Sequence, residues 1–166
     1  MKKRIRLDFL GTGAADWAGP APDGEYRRFT STLVDKTILL DFTQTAMDNL
    51  EKTGAQVSHV LFTHSHEDHY DPKALCALQQ ARAQRGLVPL KIYAEASWAG
   101  EIHCPGAEIA GVSVGEAFSV EDYRVTPLPA NHSTPRDGEQ PLYYLFEHES
   151  GLNWLYATDG AWLMNP

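Results

Sequence analysis

Cysteine is scarce in this sequence of 166 residues, which contains only Cys76 and Cys104. Two irregularly placed cysteines without a CxxC pair supply neither a disulfide framework nor a cysteine zinc site. The fold must therefore depend on an ordinary hydrophobic core, and a hydrophobic content of 43% is typical of a globular domain.

Long apolar runs are also missing. The basic start, Met1 to Arg4, could begin a signal peptide, but Arg6 and Asp8 interrupt the apolar residues that follow. No stretch approaches the roughly 20 apolar residues that a membrane span needs. We therefore expect a cytoplasmic protein that makes no contact with membranes.

Basic side chains are outnumbered, with 14 lysines and arginines against 22 acidic residues and a net charge of -8. Such a surface repels phosphate backbones and offers no basic footprint for DNA or RNA. We expect no nucleic-acid partner, so a small-molecule substrate is favoured if the protein is an enzyme.

The length indicates one domain, residues 1–166. Period-two and apolar segments predict strands at 4–10, 29–35, 37–42, 59–63, 88–94, 118–120, 123–128, 141–147 and 152–157. Helices are predicted around 46–50, from Pro72 to Arg85 with Asp71 as N-cap, and at 95–103. The stretch 104–117 is ambiguous. Helices mixed with hairpins indicate an α/β sandwich rather than a parallel doubly wound sheet.

The strand predicted at 59–63 leads into a dense cluster of potential metal ligands: His64, His66, Asp68 and His69. In an extended segment, residues two apart point the same way, with Cα atoms about 6–7 Å apart, so His64 and His66 could bind one ion. Asp68 and His69 come at the turn into a helix and could face a second ion. A solvated polar loop is the alternative, but neighbouring imidazoles without a cation would repel one another on protonation. The cluster is therefore a candidate metal site.

This segment fits the HxHxDH motif and resembles the metallo-β-lactamase superfamily, which implies an αββα sandwich. The strand ending at Gly11–Gly13 and the strand pair ending at Leu40–Asp41 are similar to the first half of that fold. The resemblance implies His132 as the third ligand of the first ion and Asp159 as a carboxylate bridging both ions. Without it, His132 would be interpreted as a surface-loop histidine and Asp159 as part of a hairpin turn. Two divalent ions are implied; zinc is expected, although manganese and iron suit the same ligands.

The sequence departs from the family pattern near its end. The family supplies one more histidine late in the chain for the second ion, and no histidine follows Asp159. We expect an αββα domain that is incomplete at its C-terminus, a truncated form of a longer enzyme. The alternative is a short protein whose second ion is held weakly by Asp68, His69, Asp159 and water. Missing elements would leave an apolar sheet surface uncovered, which favours self-association, for example as a homodimer.

The family resemblance implies a metal-dependent hydrolase in which the ions activate a water for attack. Asp68 is the candidate catalytic residue, because besides binding an ion it could orient that water or accept its proton. No separate cofactor-binding site is predicted, because the third glycine position of a dinucleotide loop beginning at Gly11 is Asp16.

Within the superfamily, the segments 7–13, 30–34 and 142–147 are most similar to the phosphodiesterase branch. That branch includes the tRNA 3′-processing endonucleases and the phosphodiesterase associated with carbon–phosphorus lyase. Because the chain is acidic, we expect a small phosphodiester, such as a cyclic nucleotide or a cyclic sugar phosphate, as substrate. Arg27, Arg28 or Arg136 could contact its phosphate.

Two other functions remain open. Residues 68–72 also resemble sugar-lactone members of the superfamily, so a lactonase or another carboxylic-ester hydrolase is the competing enzyme class. A non-catalytic metal-binding or interaction module is the third interpretation, which the missing histidine permits.

Overall fold

The computed structural model describes residues 4–16, residue 19 and residues 27–160. The first half of the chain forms β1 (Leu7–Gly11), β2 (Ser31–Val34), β3 (Ile38–Leu40), a 3₁₀ turn (Gln44–Ala46), α1 (Met47–Thr53), β4 (His59–Leu61) and α2 (Pro72–Gln84). The second half forms β5 (Lys91–Glu95), α3 (Ala96–Ala99), β6 (Glu108–Val112), β7 (Phe118–Val120), β8 (Tyr123–Pro129), β9 (Leu142–His148) and β10 (Asn153–Tyr156). Across the described ranges, none of the helices has the length and apolar character needed to span a bilayer.

The first sheet has six strands in the order β1-β2-β3-β4-β5-β6. The first three strands are antiparallel neighbours, whereas β3 to β6 run parallel to one another. Parallel neighbours need crossover connections, and α1, α2 and α3 lie in these connections. The chain reverses between β2 and β3 at Asp35 and Lys36, which both have positive φ.

The second sheet has four strands in the order β10-β9-β8-β7, all antiparallel. Two separate cores result. One lies between the helices and the first sheet and contains Leu39, Val60 and Ile92; the other lies between the two sheets and contains Leu40 and Tyr144. Adjacent Leu39 and Leu40 enter different cores because successive side chains of a strand face opposite ways. The predicted mixed α/β sandwich is thus confirmed.

The helices of the described residues all contribute to the core on the outer side of the first sheet. The inner side of that sheet is incompletely covered at its β1 edge. Leu7 pairs with Val34, a residue of the inter-sheet core, yet Leu7 is 39% exposed and Phe9, two residues along, is 68% exposed. Leu7 and Phe9 therefore form an exposed apolar patch at β1, and the wider uncovered sheet surface stays a prediction. Self-association through it stays a prediction.

Helix α2 illustrates how local sequence fixes an element. The Asp71 carboxylate accepts hydrogen bonds from the backbone N–H groups of Lys73 and Ala74, and Pro72 is the first helical residue. Gly86, with φ of 68°, lies just past its end. The Asp71 cap and the helix start at Pro72 were predicted. The ambiguous stretch 104–117 contains a strand, β6, at the edge of the first sheet.

The two sheets are joined where β4 ends and β9 begins. The backbone N–H of Leu142 donates to the carbonyl of Thr63 at 2.8 Å, and the Tyr144 hydroxyl donates to the carbonyl of Phe62 at 2.7 Å. Because the His64–His69 segment follows directly, these bonds place it at the junction between the two layers.

Candidate metal centre

The six predicted ligands come from three separate segments of the chain. One segment follows β4 and carries four of them, a second follows β8 and carries His132, and a third follows β10 and carries Asp159. Strand ends from both sheets thus meet at one edge of the sandwich. The structure brings together the residues that the resemblance selected: His64, His66, Asp68, His69, His132 and Asp159.

The first ligand group consists of His64, His66 and His132, whose ligand atoms all lie within 4.8 Å of one another. Nδ1 of His66 lies 3.2 Å from Nε2 of His132, although the two residues are 66 positions apart. The rings of His64 and His66 are 4.8 Å apart and nearly perpendicular. Three nitrogen donors around one small volume match the protein ligands of a tetrahedral ion that keeps a fourth position open.

The second group consists of His64, His69 and Asp159, within the same 4.8 Å limit. Nε2 of His69 lies 2.7 Å from Oδ2 of Asp159 and 3.4 Å from Oδ2 of Asp68. Oδ2 of Asp159 is also 3.6 Å from Nε2 of His64. Oδ2 of Asp159 therefore lies close to both histidines of this group, and its role as a carboxylate that bridges two ions stays a prediction.

Three buried atoms of this cluster make no hydrogen bond of good geometry: Nε2 of His64, Nε2 of His69 and Oδ2 of Asp68. The ion pairs of His69 with Asp159 and Asp68 compensate two of them, whereas Nε2 of His64 is 3.6 Å from Oδ2 of Asp159, beyond hydrogen-bond distance. A buried polar atom without a partner costs about 1–3 kcal/mol, so His64 requires a further partner. Their chemistry, two imidazole nitrogens and a carboxylate oxygen, is that of ligands for a divalent cation. The residues therefore fit the metal ions that the motif implies.

A buried carboxylate, Asp41, orients this cluster from behind. It accepts hydrogen bonds from the backbone N–H of Thr63 at 2.8 Å, from the Thr63 hydroxyl at 2.9 Å and from Nδ1 of His69 at 2.9 Å. The Tyr156 hydroxyl is a further donor at 3.3 Å. Since Thr63 also contacts Nδ1 of His64 at 2.9 Å, Asp41 holds one histidine directly and a second through Thr63. The sequence placed Asp41 at a strand end, but nothing in it indicated this role.

Burial and charge act in opposite directions on the two central histidines. Burial lowers the pKa of His64 to about 4, assisted by the neighbouring His69. Burial also lowers the pKa of His69, but the carboxylates of Asp41, Asp159 and Asp68 outweigh it and raise this pKa to about 12. In the metal-free state His69 is thus the cation that the surrounding carboxylates share.

Two site carboxylates have unusual backbones. Asp41 has φ of 51° and Asp159 has φ of 54°, in the left-handed region that aspartate adopts more readily than most residues. Such conformations cost free energy and cluster at functional sites. Next to Asp159, Gly160 has no room for a side chain, because a Cβ there would lie 1.2 Å from the Tyr143 hydroxyl.

Gly11 and Gly13 have a different neighbour from the one expected. The resemblance implied that this loop passes close to the ions, where small residues permit backbone approach. The atoms nearest to a Cβ at Gly11 or Gly13 belong to residues 27–29, and the N–H of Gly13 donates to the Arg28 carbonyl. The close approach that the structure shows is to the chain leading into β2, and an approach of this loop to the ions stays a prediction.

An open cavity of about 920 Å³ adjoins the ligands, and His66 and Asp68 are part of its wall. Lys73 and Arg136 supply positive charge to the same wall. The remaining lining residues are Ala15, Phe29, Ser65, Glu67, Tyr70, Asp71, Pro72 and Pro135. Of the three arginines considered for phosphate contact, Arg136 lines the cavity, whereas Arg28 is paired with Asp48 at 2.6 Å.

Two packed sheets, the first covered by helices, with a histidine and aspartate cluster at their strand ends, define a metallo-β-lactamase-fold protein. A family profile described as beta-lactamase superfamily domain matches residues 32–163. The chain belongs to this superfamily, whose fold is that of metal-dependent hydrolases.

Curated relatives match part of the chain. A UPF0173 metal-dependent hydrolase of Cereibacter sphaeroides (strain ATCC 17029) is 32% identical over 97 residues, which are 58% of this chain and 39% of the relative. The homologous hydrolase of strain KD131 matches over the same proportions. The aligned region is thus well under half the length of these relatives.

Solved structures show the same fold at low identity. The metallo-beta-lactamase fold protein YhfI from Bacillus subtilis has a TM-score of 0.65 and 16% identity, covering 86% of this chain and 58% of that one. A diphosphatase from the PhnP family has a TM-score of 0.63 and 20% identity, covering 87% of this chain and 63% of that one. The chain spans about three fifths of the length of these structures.

Proposed function

We propose that this protein is a metal-dependent hydrolase that cleaves a small phosphodiester. The observation that carries the proposal is the juxtaposition of the ligand cluster with a cavity whose wall contains two cationic side chains, Lys73 and Arg136. Similarity to a diphosphatase of the PhnP family supports a phosphorus substrate, since diphosphates and phosphodiesters present the same anionic oxygens.

Arg136 has two side-chain contacts beside the cavity. Its guanidinium lies 5.5 Å from the centre of the Trp98 ring and pairs with the carboxylate of Glu101. A guanidinium has five N–H donors, and Glu101 contacts only Nη1. The remaining donors can bind a phosphate oxygen in the cavity, with Lys73 as a second positive charge.

Asp68 is the proposed catalytic residue. Its side chain is buried, Oδ2 lies 3.4 Å from Nε2 of His69, and the residue is part of the cavity wall. Burial alone would raise the pKa of Asp68, but the His69 imidazole outweighs it and lowers this pKa, so Asp68 is ionised at neutral pH and can orient a water by accepting a hydrogen bond from it.

Two divalent ions, when bound by the two groups, would supply Lewis acidity and lower the pKa of a water. His64, His66 and His132 would hold the first ion. His69 and Asp159 of the second group, with Asp68 beside them, would hold the second. Zinc suits these ligands, as do manganese and iron. The protein's own contribution is to orient the imidazoles through Asp41 and to bind the substrate phosphate through Lys73 and Arg136.

The proposal is tested with protein loaded separately with zinc and with manganese, assayed on bis(p-nitrophenyl) phosphate, a lactone panel and nitrocefin. Hydrolysis of the phosphodiester, lost in Asp68→Ala, is expected. Lactone turnover without phosphodiester turnover would establish the lactonase alternative instead. Tight metal binding without turnover of any substrate would identify a non-catalytic metal-binding module.

Arg136→Ala and Lys73→Ala test the phosphate contacts. Each should raise KM for the phosphodiester more than it lowers kcat, because both residues bind the substrate rather than the reacting water. Lys52→Ala, which removes an exposed lysine of α1, is the control for the change in charge.

A further inference from the structure

The connection between β8 and β9, residues 130–141, carries His132 and is closed at its base. The backbone N–H of Ala130 donates to the carbonyl of Pro141 at 2.8 Å, and the side-chain amide of Gln140 donates to the carbonyl of Ala130 at 3.0 Å. These bonds fix both ends of the connection. They do not by themselves fix where His132 lies relative to the histidines that follow β4.

A second buried carboxylate, in addition to Asp41, connects this loop with the segment that follows β4. Glu139, in the same connection, is only 9% exposed. Its Oε1 accepts the backbone N–H of Ser65 at 2.8 Å, and its Oε2 accepts the Ser65 hydroxyl at 2.5 Å. Ser65 is itself buried, and 74 positions separate the two residues.

Because of the position of Ser65, this contact restrains two metal ligands. Ser65 lies between His64 and His66, so its backbone N–H belongs to the peptide that follows His64, and a bond to it restrains the backbone of both ligands. Glu139 and His132 belong to one closed connection, whereas His64 and His66 belong to another segment. Glu139 therefore joins the two segments that supply the first ligand group.

The cost of burying the Glu139 carboxylate favours a specific role for this residue. Burying a carboxylate is costly unless both oxygens are hydrogen-bonded, and here both oxygens bind a single residue placed between two ligands. A carboxylate that served only to close the connection could bond to the base instead, where Gln140 already fulfils that purpose.

We propose that Glu139 is a positioning residue for the first metal group, setting the separation of His132 from His66 through its paired hydrogen bonds to Ser65. This rests on the proposed function only in requiring that the group binds an ion; it does not depend on the substrate. Removing a partner that orients metal ligands typically weakens metal binding about 10- to 100-fold.

The test compares Glu139→Ala with Glu139→Gln. Glutamine keeps an oxygen for the Ser65 N–H and offers an amide N–H to the Ser65 hydroxyl, so it should keep zinc affinity within about threefold, whereas alanine should lose about 10- to 100-fold. Ser65→Ala removes one of the two bonds and should fall between them. Glu116→Ala, at an exposed glutamate before β7, is the control for lost charge and should bind as the parent does.

Two measurements separate positioning from mere stabilisation. Zinc affinity is measured by chelator competition at a temperature where each metal-free variant is folded. Nuclear Overhauser contacts between the rings of His66 and His132, whose centres are 5.0 Å apart, are measured in the metal-free proteins. We expect the ring contacts to be kept in Glu139→Gln and lost in Glu139→Ala.

Three outcomes would overturn the proposal. Glu139→Ala could lower the melting temperature yet leave zinc affinity and the ring contacts unchanged. Glu139→Gln could lose as much affinity as Glu139→Ala. The parent protein could bind no zinc. If Glu139→Ala does not fold, Glu139→Gln and Ser65→Ala decide the matter by the same readouts. Failure to hydrolyse the phosphodiester, with zinc affinity behaving as expected, would contradict the proposed substrate alone.

Discussion

Nδ1 of His69 donates a hydrogen bond to Oδ2 of Asp41 over 2.9 Å. A carboxylate can only accept, so this bond keeps the proton on Nδ1 and, in the neutral ring, leaves the lone pair on Nε2. Nε2 is the atom that lies among the carboxylates of Asp68 and Asp159. A residue outside the ligand set thus determines which face of His69 can bind an ion.

Asp41→Asn should weaken metal binding without preventing folding. Asparagine tolerates the left-handed backbone at this position, and its oxygen can still accept the Thr63 N–H. Its amide N–H would face Nδ1 of His69 and favour the tautomer with the proton on Nε2. We expect zinc affinity to fall about 10- to 100-fold, measured by chelator competition.

The matched control is Asp48→Asn, at the exposed carboxylate that pairs with Arg28. It makes the same chemical change away from the ligands and should leave zinc affinity unchanged. An Asp41→Asn protein that binds zinc as tightly as the Asp48→Asn protein would refute the orienting role of Asp41.

The metal-free protein should lose stability as the pH rises above 6.5. The pKa of His69 is raised from 6.5 to about 12, so the folded state holds a proton that the unfolded state has released. The contribution is complete below pH 6.5 and is lost progressively toward pH 12. His64, with its lowered pKa, contributes with the opposite sign as the pH falls below 6.5.

Denaturant titrations of chelator-treated protein across this pH range measure the effect. His69→Gln should be less stable near neutral pH but should lack most of the decline above pH 6.5. An equal decline in both proteins would assign the proton to another group.

His132→Ala should abolish tight binding of the first ion, because it removes one of three nitrogen donors. The loss should be at least the roughly 10- to 100-fold expected for removal of an orienting partner. Metal content after dialysis, together with calorimetric titration, gives both stoichiometry and affinity. His103→Ala removes an exposed histidine and should leave both unchanged. Equal behaviour of the two variants would place the first ion elsewhere.

Gly160→Ala should displace Asp159. A Cβ at this position would lie 1.2 Å from the hydroxyl and 2.4 Å from Cζ of Tyr143, a buried side chain. Overpacking of this kind costs about 1–3 kcal/mol, and any backbone shift moves the neighbouring carboxylate. We expect a lower melting temperature and weaker binding of the second ion. Gly100→Ala, where a Cβ meets nothing within 4 Å, is the control, and identical results for the two would show that Tyr143 moves aside freely.

The parts of the site that could be predicted are those with a local pattern. His64 and His66 are two positions apart on an extended segment, and the ends of α2 are marked by Asp71, Pro72 and Gly86. In each case neighbouring residues suffice for the prediction, because strand alternation and helix capping act over a few positions. His132 and Asp159 carry no local pattern and were selected through the family resemblance.

The remaining features depend on contacts between distant parts of the chain. Asp41 and Glu139 function through partners 22 to 115 positions away, and an isolated acidic residue gives no sign of being buried. Strand β6 escaped prediction for another reason. It is an edge strand with one buried residue, Val112, and is held by backbone pairing with β5 rather than by an apolar pattern.

His64 and His66 extend from the first sheet, whereas His132 and Asp159 extend from the second. An ion shared among them would tie the two layers of the sandwich together, so its binding free energy would also oppose unfolding. The availability of the metal would then change the folded fraction of this protein as well as its rate of catalysis. Substitutions of these four side chains would change both stability and metal-dependent chemistry.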